Sequence, residues 1–214
     1  TDVVVSGNSV TGAVSNAQGG GIRNLGTLTL DDVRLTSNHA DGQGGGLFNQ
    51  GTATITSSLV DANTTGDMGA GIRNTGANGD LALTNVTISG NTGAGSGGGL
   101  SNSADAVLYN VTVTQNSSTG GTASGGGIDE AMPSASTIVT NSIIQDNSAA
   151  GGSPDASGTL ESQGYNLIGN TSGNSGWLAS DLLNTSATLG ALSDNGGATW
   201  THALLGGSRG IDEG

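Results

Sequence analysis

The sequence contains no cysteine and no lysine, and it is poor in proline, aromatics and charge. Each shortage closes off something. Without cysteine there are no disulfides, thiolate metal ligands or cysteine nucleophiles. Four arginines stand against 17 acidic residues, a net charge of −13, so the basic footprint needed for nucleic acid or an anionic membrane surface is missing. No apolar run reaches the ~18 residues of a membrane span. No signal peptide opens the sequence, so a secreted protein would be represented here by its mature part. Aromatics at 2% could not fill a wide core. What is abundant is glycine, 41 of 214 residues, with Asn, Ser and Thr. Glycine with so little charge can signal disorder. Here, however, Val, Ile and Leu fall in short alternating runs, which points to strands lining a narrow interior.

Self-similarity is the strongest signal. A glycine triplet followed by an apolar residue (in one copy Gly69-Ala-Gly71) ends on Ile22, Leu47, Ile72, Leu100 and Ile128, steps of 25, 25, 28 and 28 residues. Two positions later stand Asn24, Asn49, Asn74 and Asn102, with Glu130 breaking the series. A second phrase, apolar-x-apolar-x-x-Asn, ends on Asn8, Asn38, Asn63, Asn91, Asn116, Asn147 and Asn170. The copies before Asn63, Asn147 and Asn170 are looser. A third alternating run lies between the phrases, as in Leu28/Leu30 and Leu81/Leu83.

Three short strands per 25–28 residues make one coil of an all-β, right-handed parallel β-helix of about seven coils. Its domain organisation reads as coils over residues 1–170 and a capping segment over 171–214, which holds both tryptophans. Stacked at ~4.8 Å, the Asn residues would form hydrogen-bonded ladders. Val33, Leu35, Val86, Ile88, Val111 and Val113 would point inward. Arg23, Phe48, Arg73, Ser101 and Asp129 would form one outward row, with Phe48 between two guanidinium groups as a structural stack or a sugar-stacking platform.

The stretch Gly164-Tyr-Asn-Leu-Ile-Gly169, followed by Leu189-Gly-x-Leu-x-Asp-Asn-Gly-Gly197, Thr201-His-Ala-Leu-Leu205 and Gly210-Ile-Asp212, resembles the C-terminal signature of bacterial "choice-of-anchor Q" surface proteins. The upstream coils resemble that family's right-handed β-helix repeats and those of polymorphic outer-membrane proteins. The resemblance spans nearly the whole chain. It departs at Ser208-Arg-Gly-Ile-Asp212, where the family's Pro is missing, and no anchoring helix precedes Gly214. It implies a secreted bacterial envelope protein and supplies no catalytic residues.

Candidate chemistry is sparse. Glycoside hydrolysis needs two carboxylates about 5–9.5 Å apart across a groove. Asp129 and Glu130 are neighbours on one strand and should face opposite ways, while Asp31 and Asp32 near Arg34 read as a solvated turn. A lyase would want clustered Asp with a Lys or Arg base. His39 and His202 have no second His beside them and read as hydrogen-bonding surface residues. Asp41, Asp67 and Asp194 lie in Gly/Asn-rich loops that could gather calcium oxygens, although the nonapeptide calcium repeat is missing; no other cofactor is expected. The outward row Arg34, Leu59, Thr87, Thr112 and Ile143 is too mixed for an ice-binding face. Six Asn-x-Ser/Thr sequons, at Asn63, Asn85, Asn110, Asn116, Asn170 and Asn184, are common by chance in such a composition.

The expected function is therefore that of a non-catalytic extracellular or cell-surface protein, structural or adhesive. The alternative is a polysaccharide-binding or polysaccharide-cleaving module. The expected partners are extracellular polysaccharide and a second copy of the chain. Thr1–Asn8 already reads as a complete strand with no cap ahead of it, which suggests end-to-end association into a fibre.

Overall fold

The short alternating runs become strands that stack upon themselves in four parallel rows. The computed structural model describes residues 3–14 and 16–211, so Thr1, Asp2 and Asp212 of the sequence motifs lie outside the described residues. Sheet A has eight strands, from Val3–Ser6 through Val33–Thr36, Thr87–Ser89 and Ile143–Gln145 to Leu182–Leu183. Sheet C has seven, including Ile22–Asn24, Ile72–Asn74, Leu100–Asn102 and Ile128–Glu130. Sheet D has six, including Thr52–Thr56, Leu81–Thr84 and Asp105–Tyr109. These are the three expected runs. A fourth row, sheet B, consists of six two-residue strands such as His39–Ala40 and Thr92–Gly93. Two residues are too few to show alternation, so composition concealed this row. With six strands each in sheets B and D, the complete coils among the described residues number about six, one fewer than expected.

The register places like on like. Val60, Ile88, Val113 and Ile144 stack along sheet A, and Leu47, Ile72, Leu100 and Ile128 along sheet C. All belong to one aliphatic core and are essentially inaccessible to water. Period-2 alternation does this: every second side chain of a strand faces inward.

Two corners are held by asparagine. Where sheet A turns into sheet B, Asn8, Asn38, Asn63, Asn91 and Asn116 each donate Nδ2 to the Oδ1 of the next Asn, the last to Asn147, at 2.9–3.0 Å. Each Oδ1 also accepts the backbone N–H of the preceding Asn. From Asn38 onward, Nδ2 also reaches a sheet A carbonyl of the preceding coil, as in Asn91 to Val60 at 3.0 Å. A buried amide with its donors and acceptor engaged avoids the ~1–3 kcal/mol that an unsatisfied group costs. The residue ahead of each Asn is left-handed, including the non-glycines Ser37, Ala62, Gln115 and Asp146. That strain of ~1–2 kcal/mol per residue is offset by the rung it positions.

The glycine triplet is explained by the same corner. A Cβ on Gly99 would come within 2.6 Å of the Gly127 carbonyl oxygen and 3.1 Å of the Asn116 amide. Only a residue without a side chain lets sheet C begin flat against the ladder.

Asn170 is not a rung. Below Asn147 the acceptor is Asp155, whose Oδ1 lies 3.0 Å from both Asn147 N and Nδ2. Asn170 is exposed, with Oδ1 accepting from Ser172 N–H. The looser copy of the phrase misled because the Asn that turns inward there is Asn166. Its Nδ2 and N–H both donate to Asp181 Oδ1, and its own Oδ1 accepts from Ser142 N–H, which extends a row of side-chain acceptors, Ser58 and Ser142 before it, at the corner from sheet D to sheet A. Along sheet C, Asn24, Asn49, Asn74 and Asn102 do form a ladder at 2.7–2.9 Å, and Asn102 then donates to Thr137 Oγ1.

The segment after residue 170 behaves differently from a simple end cap. Coil stacking runs on to Leu182–Leu183, which pairs with Leu167–Ile168. Trp177 packs against the core, as a cap would. The remainder folds back along the outside of sheet A. Ala187 exchanges two hydrogen bonds with Gln145, and an antiparallel hairpin of Leu189–Ser193 and Thr201–Leu204 follows. Its His202 reaches Ser89, Thr199 reaches the Ser57 carbonyl, and Trp200 lies over Arg34 with the guanidinium carbon 4.6 Å from the ring centroid. This strap crosses the solenoid from its sixth coil back to its second. It accounts for the outward row of sheet A, where Leu59 and Thr87 are buried although they point away from the core.

Two partly buried carboxyls make the stability of the fold depend on pH. Burial raises the Asp155 carboxyl above its ordinary range, against the pull of its hydrogen bonds from Asn147 and Asn170. Burial likewise raises Glu130, which accepts from Thr137 and is raised further by Glu161, Asp129 and Asp105. A carboxyl so raised holds its proton in the folded chain where the unfolded chain has released it. Its contribution is complete below the ordinary carboxylate range and is lost as pH rises through the raised value. Unfolding free energy should therefore fall from about pH 4 upward. Asp155→Asn, which keeps the accepting oxygen, and Glu130→Gln should each flatten the decline. Urea titrations across that range check this; unchanged slopes in both variants would refute it.

Candidate functional site

The outward row of sheet C is Arg23, Phe48, Arg73, Ser101, Asp129 and Ser157, in the expected register. Its chemistry differs from the expected sandwich. Arg23 covers one side of Phe48 at 5.9 Å from the ring centroid. Arg73 turns the other way, its Nη1 donating to Ser101 Oγ at 2.8 Å. Asp129, two rungs on, competes with the ring for the cation and also accepts from Ser157 Oγ at 2.6 Å. Phe48 is fully buried, so it offers no platform for a sugar. Arg73 is only 8% exposed, and its Nε has no hydrogen-bond partner. Desolvation lowers its proton affinity from the ordinary arginine value, while Asp129 and Asp67 pull it back.

Beside Arg73 lies a built cleft. Three coils pass from sheet C to sheet D in two residues, as Asn102 does to Asp105. The coil before needs residues 75–80 for this passage, and the coil after needs 131–135. Two long turns flank one short one, so the short turn becomes a floor and the long ones become walls. The cleft has a volume of about 460 Å³. Arg73 closes one end, Ser103 and Asp105 line the floor, and Thr75, Asp80 and Met132 line the walls. Met132 is half exposed and shared with a second depression that contains Glu130 and Glu161. Asp80 and Asp105 are shared with a smaller one on sheet D that reaches Thr54 and Val107. A trough thus crosses the corner between the two sheets. Of the insertions visible between the phrases, Ala77-Asn-Gly79 and Gly120-Gly-Thr-Ala123, the first forms one wall, but that residues 131–135 supply the other is visible only once the coils are stacked.

The remaining candidates are scattered over the molecule. Arg34 makes a two-pronged ion pair with Asp61 at 2.9–3.1 Å. His202 is buried, not on the surface: Nδ1 donates to the Gly190 carbonyl at 2.8 Å, leaving Nε2 at 2.9 Å from Ser89 Oγ. His39 bridges Thr64 and Asp41. Asp41 also accepts from Gly12 N–H, Asp67 from Gln43, and Asp194 from Gly196 N–H. Among the described residues no three His, Asp or Glu side chains stand close enough to hold a metal ion. No helix there is long and apolar enough to cross a membrane.

No family model, curated protein or solved structure matches the chain.

Proposed function

We propose that this chain is a non-catalytic structural and adhesive β-helix of the bacterial surface or extracellular matrix, in keeping with its resemblance to choice-of-anchor Q proteins. The observation that carries this reading is the double lock on the solenoid: continuous amide ladders along its corners, and a strap that ties the second coil to the sixth. Such a rod suits an environment of proteases and little repair. The absence of lysine leaves trypsin four arginines. Arg73 is buried, and Arg34 is held by Asp61 beneath Trp200. One observation favours a second reading, glycan cleavage: Glu130, with raised proton affinity, faces a depression shared with Glu161. Thr137 occupies the Glu130 carboxylate, which weighs against that role.

Prolonged incubation with trypsin should leave the solenoid intact on a gel, with at most the few residues after the exposed Arg209 removed, even though Arg23 on its sheet C strand is exposed. The same preparation should release no reducing ends or unsaturated products from a panel of polysaccharides. Turnover that disappears in Glu130→Gln would replace the structural reading with the enzymatic one.

A further inference from the structure

The geometry points to the cleft between the two long turns as a binding site for one or two uncharged pyranose units of an extracellular polysaccharide. This rests on the adhesive reading and gives it a location and a ligand class.

Three observations converge. The first is size and origin. A cleft of about 460 Å³ falls in the range of small-molecule sites, and it exists because residues 75–80 and 131–135 are additions to a repeat that otherwise turns in one or two residues. Neither addition places a side chain in the aliphatic core, and the first meets the ladder only through the Gly79 and Asp80 carbonyls, which accept from Asn74 and Asn49 as the shorter turns do from their own asparagines.

The second is the lining. Carboxylates at Asp80 and Asp105 are acceptors that can each take a pair of hydroxyl protons. Thr75 and Ser103 supply hydroxyls that can donate or accept, and Met132 gives an adaptable apolar wall for the carbon face of a ring. Dense hydroxyls around a small apolar face are what a pyranose presents. The acidic side chains also define what is excluded. Two carboxylates against one guanidinium, on a chain of net charge −13, repel uronates and sulfated sugars.

The third is Arg73. Its guanidinium is held by Ser101 and by the field of Asp129, yet its Nε lacks a partner. An unsatisfied, nine-tenths-buried donor group at the end of a polar cleft costs free energy in the empty site. A hydroxyl oxygen drawn toward that guanidinium would recover part of it. The trough continues past Met132 on one side and past Asp105 to Thr54 and Val107 on the other, so a longer chain has somewhere to lie.

The test is titration of the full chain with short neutral oligosaccharides (gluco-, manno-, galacto- and N-acetylglucosamine series) beside galacturonate and alginate oligomers. Heat and ligand-observed NMR are the readouts. At least one neutral series should bind with a Kd in the millimolar range or below, and the uronates should not. Asp105→Asn sits on an exposed strand end and should fold normally, with binding weakened about tenfold or more. Ala104→Trp, which fills the floor, should abolish binding with an unchanged melting curve. Binding that ignores both variants, preference for uronates, or no binding by any neutral series would overturn the site. None of those results touches the structural reading, which fails only if product appears in the same tubes.

Discussion

Replacing Ile88 with alanine should lower the free energy of unfolding by about 2–5 kcal/mol. Ile88 is wholly buried at the middle of sheet A, with Val60 on the coil before and Val113 on the coil after. Its backbone carbonyl is fixed as well, accepting from Asn116 Nδ2 at 3.0 Å. A globular core can shrink around a deletion by moving a helix or a large ring. This core is walled by backbone at a spacing set by hydrogen bonds, and among the described residues Trp177 is the single aromatic packed against it. The cavity should therefore stay open, placing the cost toward the upper part of the range. Denaturant titration should show a lower midpoint at unchanged slope. A loss below about 1 kcal/mol would mean that the coil can close up, contrary to the rigidity attributed to the ladders.

Deleting residues 186–214 should be at least as damaging and should also change the state of association. Leu59 faces outward yet has no exposed surface, flanked by Ser57 on its own coil and by the strand of Ser89, to both of which the strap is hydrogen-bonded. Uncovering it alone costs about 1.5–3 kcal/mol. Gln145 would lose both bonds to Ala187, and Ser89 its bond to His202. Uncovering the row Arg34, Leu59, Thr87, Thr112, Ile143 and Leu167 bares the aliphatic side chains of Leu59, Ile143 and Leu167 on one sheet face, so oligomers should appear on size exclusion. His202→Ala should reproduce part of the stability loss without aggregation, because Trp200 still anchors the hairpin. If the truncated chain remains monomeric with an unchanged midpoint, the strap is ornamental.

Most of the fold was legible because repetition is a one-dimensional signal. Two phrases recurring at 25–28 residues locate the sheet A and sheet C rows, and the inward residues follow from alternation. What was hidden shares one cause: it depends on which residues meet across coils. Asp155 takes the place of Asn170 because a loop on the far side of sheet B reaches back to the ladder, and nothing local at Asn170 announces that. The strap was concealed by its target. The row Arg34, Leu59, Thr87 looks like an indifferent surface mixture until Trp200 and His202 are laid over it. The cleft is a matter of unequal turn lengths in three successive coils, a difference of a few residues that a search for conspicuous side chains passes over.

The ladders also carry a direction. In every rung of the buried ladders at the A–B corner and along sheet C the amide hydrogens point toward the later coil and the oxygen toward the earlier one, whereas the exposed stack Asn85, Asn110 and Asn141 runs the other way. The side-chain dipoles consequently add along the axis, with the positive end at the C-terminal side, much as peptide dipoles add in a helix. At that side two rows close on a side chain that can only accept when ionised, Asp155 and Asp181, while the third passes through Thr137 to Glu130. Carboxyl oxygens there accept from the last N–H groups of the rows. The solenoid thus has a chemically defined terminus. A duplicated coil inserted ahead of Asp155 would find donors and acceptors matched, whereas one placed directly after it would set oxygen against oxygen. Lengthening such a rod by repeat duplication is therefore a one-sided process, open upstream of the carboxylates and stopped by them.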